Sequence, residues 1–180
     1  YSVEYGGEFE NQIRASKNLM TVIPIVIVII ILILFTIFGR WSLALLILAN
    51  VPFALMGGVF GLFVTGEYLS VPASVGFIAL LGVAVLNGVV MISYYEDLKG
   101  KAMPLYELVK SGAVARLRPI LMTATTAMFG LLPLAFASGP GAEIQRPLAI
   151  VVIGGLITST FITLYLLPIG YYYWERGKHA

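Results

Sequence analysis

The sequence predicts an all-α integral membrane protein with five transmembrane helices plus one interfacial amphipathic helix. Three observations point there. Of the 180 residues 59% are hydrophobic and 11% are charged, whereas soluble domains carry about 25% charged residues. The mean hydropathy is +0.96. Cutting the chain at every Lys, Arg, Asp and Glu leaves five long uncharged runs, 18–39, 41–66, 68–95, 119–142 and 147–174. Each holds the roughly 20 apolar residues a helix needs to cross a hydrocarbon core of about 30 Å. One such run fits a buried helix of a soluble protein, but five in series leave too little polar surface to face water.

Residues 1–18 read as the end of an extramembrane domain and a lead-in helix. Alternating Tyr1, Val3 and Tyr5 before a Gly-Gly pair suit a closing strand over 1–7, and EFENQIRASKN over 8–18 suits a polar helix. An opening without Met or a basic leader reads as a fragment or a processed chain. The transmembrane domain follows over 19–174. Its first span, 20–38, is rich in Ile and Val, which favour strands. Length overrules that preference, because in lipid an isolated segment must satisfy its own backbone hydrogen bonds. Pro24 falls near the start, where a missing donor does least harm. FGRWS turns the chain into a second span over 43–65, and GEYLSVP leads to a third over 73–95.

Within the polar connection 96–118, Pro104 suits a first helical position. Leu105, Leu108, Val109 and Gly112 share one face, away from Glu107, Lys110 and Ser111. This is the pattern of an amphipathic helix over 104–115 at the cytoplasmic interface. The fourth span covers 119–137, SGPGAEIQR turns the chain, the fifth covers 148–173, and 175–180 form a cytoplasmic tail. With the N-terminus outside, eight Lys and Arg fall on cytoplasmic segments and three, Arg14, Lys17 and Arg146, on the other side. The positive-inside rule selects that orientation in a plasma membrane.

No Asp, Glu, Lys, Arg or His falls in the five spans, so the usual mark of an intramembrane proton or ion path is missing. Neutral polarity is present instead. Asn87 sits near the middle of the third span, and Thr123, Thr126 and Gly130 recur at helical spacing on the fourth. Two readings stand: hydrogen bonding between helices, worth about 0.6–2 kcal/mol, or the border of a hydrated path that holds an acid supplied elsewhere. Gly57 and Gly61 form a G-x-x-x-G pair, and Ala84 with Gly88 a looser one, both suited to close helix packing. Gly154, Gly155, Thr158 and Ser159 read the same way, and Pro52, Pro133 and Pro168 are placed to kink their helices.

Metal ligation and cofactor binding are not expected. There is no Cys, the single His179 lies in the tail, and the six Met show no paired spacing. Phosphate loops, a nucleophile with its base and a basic-aromatic nucleic-acid stripe are also missing from the sequence, which argues against an enzyme and against nucleic acid as a partner. Membrane lipid is the expected surrounding.

YGGEFENQ, LLILANVPFALMGG, GEYLSVPASVGFIALLGVAVLNGVVMISY, the stretch from GAVARLRPILMT to IVVIGGLITST, and LPIGYYYWE together resemble the C-terminal membrane part of resistance-nodulation-cell division (RND) efflux pumps, nearest to their cobalt-zinc-cadmium branch. The resemblance implies the last five of twelve helices of an inner-membrane homotrimer. Such a pump exchanges protons for substrate and docks with a periplasmic adaptor and an outer-membrane channel. It also implies that the essential acids lie on a fourth helix outside these residues. Multidrug members have Lys, and copper and silver members Glu, where this chain has Leu86; the latter also have Lys in place of Ile120. Both departures favour a divalent-metal type. Asn87 matches the Asn that follows the Lys of multidrug members, Thr123 matches a Thr of their proton-relay cluster, and Arg116 an Arg at the cytoplasmic end of that path. The expected function is therefore the membrane part of a proton-driven divalent-cation exporter. The alternatives are a truncated, transport-inactive scaffold and a multidrug exporter of the same superfamily.

Overall fold

The computed structural model describes residues 7–101 and 103–177, which form six α-helices and, among those residues, no strand. Apart from Gly7, which opens the first helix, the expected strand over 1–7 lies outside the described residues, as do the last three residues of the tail. Among the described residues five segments are long and apolar enough to cross a membrane.

The polar lead-in and the first span make a single helix, α1 (Gly7–Phe38). It ends where Gly39 adopts a left-handed φ of 60°, a conformation that costs a residue without Cβ little. The second span is broken into α2 (Trp41–Leu48) and α3 (Asn50–Thr65) at Ala49. The physical reason is Pro52, which has no N–H for the Leu48 carbonyl and whose ring crowds it. Gly66, with φ 70°, closes α3.

Ser70 caps α4 (Val71–Lys99): its Oγ accepts the Ala73 N–H at 3.4 Å, and Pro72 occupies the first turn, where no donor is needed. The expected interfacial helix and the fourth span are one uninterrupted helix, α5 (Leu105–Ala135). The stripe of Leu108, Val109 and Gly112 is buried against the bundle, where Gly112 faces the ring of Tyr95 and the side chain of Leu98. That apolar face is accordingly occupied by protein. The last helix, α6 (Ala142–Arg176), begins at Ala142 where the expected span begins at Leu148.

α6 is the hub, packing against α2, α3, α4 and α5. Paired positions give the directions. Gly57 meets Gly154 and Thr158 while Gly61 meets Ile150, so α3 and α6 are antiparallel. Gly76 meets Leu148 and Val151, and Gly155 meets Leu80, so α4 and α6 are parallel. One apolar cluster, including Leu34, Ile47, Met91, Tyr95, Leu167 and Tyr171, fills the half of the bundle nearer Arg40. A second, including Ala54, Phe77, Leu80, Val151 and Leu156, fills the half nearer Arg146.

The tightest seam is α3 against α6. A Cβ on Gly154 would lie 2.6 Å from the Gly57 carbonyl oxygen and 3.3 Å from the Gly61 Cα, and one on Gly61 would lie 3.0 Å from the Ile150 carbonyl oxygen. Backbone cannot rotate aside as a side chain can. In lipid, where apolar burial does not drive helices together, such close approach supplies the dispersion contact that does. Ala84 and Gly88 serve the α4 seam: Ala84 is fully buried, and a Cβ on Gly88 would lie 2.8 Å from Ile47 Cγ2.

Gly154→Ala is expected to destabilise the fold by about 1–3 kcal/mol, the usual cost of overpacking. Gly130→Ala, at a helical glycine with nothing within 4 Å, should stabilise it by up to about 1 kcal/mol. Thermal unfolding in micelles measures both, and equal shifts would refute the seam.

Candidate functional site

Two polar assemblies interrupt the apolar bundle. The first lies between α3, α4 and α6. Asn50, the first residue after the Pro52-induced break, is fully buried. Its Nδ2 donates to Thr163 Oγ1, to Ser159 Oγ at 3.3 Å and to the Ala84 carbonyl at 3.5 Å. Ser159 and Thr163 are one turn apart on α6, so a single amide spans both. Asn87 is one turn beyond Ala84 and is 6% exposed. Leu80 meets Gly155 and Glu96 meets Tyr171, so in the parallel α4–α6 pair Asn87 stands level with the turn Thr160–Thr163. Asn50 Oδ1, Asn87 Nδ2 and Thr160 Oγ1 are buried and have no hydrogen-bond partner, a concentration of unspent hydrogen-bonding capacity that is uncommon in protein interiors.

The second assembly is ionic and closes the Arg40 end of the bundle. Lys99 Nζ lies 2.7 Å from Glu175 Oε1 and 3.1 Å from Glu96 Oε1, and Arg40 Nη1 lies 3.8 Å and 3.7 Å from the same two carboxylates. Tyr171 donates its hydroxyl to Glu96 Oε1 at 2.7 Å. Both carboxylates stand near helix C-termini, where the backbone dipole disfavours negative charge. The two cations offset that cost and tie the α1–α2 turn to the ends of α4 and α6. At the opposite end Arg146 Nε pairs with Glu67 Oε1 at 3.1 Å.

The residues singled out by sequence fall apart into two environments. Asn87 is inside the bundle, whereas Thr123 and Thr126 are exposed on α5. Thr123 donates to the Pro119 carbonyl at 2.9 Å, which satisfies its hydroxyl proton within its own helix. Gly112 opposite Tyr95 and Arg116 over Tyr94 set α5 antiparallel to α4, so Thr123 stands level with Asn87 without meeting it. Arg116 is half-buried, its guanidinium 4.5 Å from the Tyr94 ring centroid, a cation–π contact. Gly57, Gly61, Ala84 and Gly88 lie in the helix seams described above. Leu86 is exposed, and Ile120 is buried in the core.

Asn50, Glu96, Lys99 and Glu175 are missed by the sequence reading. Asn50 carries the same signal as Asn87, one amide in an apolar run, but Pro52 beside it claims attention as a kink. Among the described residues no group of three His, Cys, Asp or Glu gathers in a way that could hold a metal ion.

The AcrB/AcrD/AcrF family model matches residues 1–175. The cobalt-zinc-cadmium resistance protein CzcA of Cupriavidus metallidurans is 46% identical over 171 residues, covering 95% of this chain and 16% of that protein. Protein HelA of Legionella pneumophila is 51% identical over 179 residues, covering 99% and 17%. The cation efflux system protein CusA of Escherichia coli is 39% identical, covering 94% and 17%. A crystal structure of a heavy metal efflux pump superposes with a TM-score of 0.84 at 46% identity, over 98% of this chain and 18% of that one. The chain thus spans about one sixth of the length of the curated relatives it matches.

Asn50→Ala is expected to destabilise the protein by about 1–2 kcal/mol, and Thr163→Val by less. In a double-mutant cycle the pair should show a coupling of about 0.6 kcal/mol, the average for hydrogen bonds between membrane helices. Strict additivity would mean that the two side chains do not act together.

Proposed function

The chain belongs to the AcrB/AcrD/AcrF family, and from that premise we propose that it is the C-terminal membrane portion of an RND transporter that expels divalent heavy-metal cations in exchange for protons. The observation that carries this reading is the 46% identity, across 95% of the chain, to a relative named for cobalt, zinc and cadmium resistance. Leu86 and Ile120 add to it, since neither the Lys of multidrug members nor the Glu and Lys of copper and silver members is present. The protein would work in the bacterial inner membrane as a homotrimer, joined to a periplasmic adaptor and an outer-membrane channel. The described N-terminal residues would lie on the periplasmic side and Arg176 in the cytoplasm.

In this role the chain positions and hydrates acids carried by helices beyond it. The support is electrostatic: the five spans contain no ionisable group other than tyrosine, so charge must enter from another segment for protons to move. Thr123 and Thr126 present hydroxyl groups on the exposed face of α5, and Leu86 forms part of the exposed face of α4. A helix carrying acids would sit over those faces. Arg116 would stand at the cytoplasmic end of the path and Asn87 on its inner wall. Asn87 Nδ2 has no hydrogen-bond partner among the described residues, which leaves it a donor for a group carried by a helix beyond them.

In the complete transporter, Asn87→Leu should leave thermal stability unchanged or raised while lowering metal-driven proton exchange by about ten-fold, the effect of one lost hydrogen bond to a charged group. Undiminished exchange at equal expression would leave Asn87 as packing. Residues 1–180 alone, reconstituted in vesicles, should give no metal-dependent proton flux; robust flux would overturn the reading and place the charge carrier in this chain.

A further inference from the structure

Between α3, α5 and α6 runs an open apolar groove of about 520 Å³, lined over most of its length by side chains such as Val64, Leu132 and Ile153. Its floor includes the glycine seam, for Gly57, Gly61 and Gly154 all line it. Because these residues have no side chains, the two backbones touch and the groove above them stays empty. Along α6 it reaches from Arg146 to Thr158, a rise of about 18 Å at 1.5 Å per residue. That is close to the thickness of one leaflet, about half of a 30 Å hydrocarbon core.

The mouth has different chemistry. Arg146 lines it, and Glu67 is paired with that Arg at 3.1 Å. Both lie at the end of the bundle where α3 stops and α6 starts, at the level where a span meets the headgroups. The side chains keep 44% and 25% of their exposure. The bond to Glu67 uses the Nε–H, and a guanidinium has four further donors.

We propose that this groove is a binding site for a phospholipid with a primary-amine headgroup. One acyl chain lies in the groove, the phosphate accepts from the Arg146 guanidinium, and the ammonium donates to the Glu67 carboxylate. An anionic headgroup fits less well: it would satisfy Arg146 but set a second negative charge beside Glu67. A zwitterion that can donate hydrogen bonds meets both halves of the pair, whereas a choline headgroup has no N–H to offer Glu67. The site is independent of what the transporter carries.

Native mass spectrometry of the purified protein in micelles, offered equal amounts of phosphatidylethanolamine, phosphatidylcholine and phosphatidylglycerol, tests this. Phosphatidylethanolamine should be retained about five-fold over each of the others, the scale of one charge contact at a membrane surface. Arg146→Gln and Glu67→Gln should each erase that preference, and Arg146→Lys should keep it, which separates headgroup recognition from loss of fold. Val64→Trp, filling the groove from its lip, should reduce retention of all three lipids. Equal retention by the unsubstituted protein, a preference that survives both Gln substitutions, or retention untouched by Val64→Trp would overturn the proposal. A preference for phosphatidylglycerol that is lost only in Arg146→Gln would assign the groove to an anionic lipid and overturn it as well.

Discussion

The backbone contact between α3 and α6 anchors the core of this bundle. Gly57, Gly61 and Gly154 bring the two chains within reach of each other's carbonyl oxygens. Once α3 is fixed there, Asn50 at its N-terminus is delivered to Ser159 and Thr163, and through the Ala84 carbonyl it holds α4. α5 then packs on α6 and covers the Tyr95 side of α4. In water such a hierarchy would be masked by the general tendency to bury apolar area. In lipid that tendency is weak between helices, and close contact and hydrogen bonding decide the arrangement.

The two polar assemblies obey the bilayer in different ways. In the interior only neutral groups appear, and an amide bonded to two hydroxyls and a carbonyl is within what that environment tolerates. At the Arg40 end, where lipid gives way to headgroups and water, the polar groups become fully ionic. Glu175 is nonetheless buried, and it is stable there because Lys99 approaches to 2.7 Å and Arg40 adds a second cation. Removing one partner from such a set would strand a desolvated charge, so the cluster acts as a clasp on the ends of three segments distant in sequence.

The spans were legible because membrane crossing is a property of local composition. Their subdivision was less so. Pro52 pointed to a kink, and the helix does break beside it, but a sequence does not say which carbonyl will be left over until the helix direction is known. The join between the amphipathic segment and the fourth span escaped because Leu108, Val109 and Gly112 face Tyr95 and Leu98, and one apolar stripe reads alike whether lipid or protein covers it. Asn50 and its partners are 109 and 113 residues apart, beyond any periodicity. Glu96 and Glu175 were lost for a subtler reason: as charges bounding apolar runs they served to delimit the spans, and a residue used as a boundary is easily overlooked as a partner.

α1 stands apart from this tightly joined group. Only Leu34 of its described side chains is buried, and its contacts run to α2 and α4 from its C-terminal portion. At 32 residues it is about 48 Å long. α1 is therefore joined to the described helices at one end only, beside Gly39, and the rest of its length offers them no contact but presents an apolar surface to whatever lies beyond.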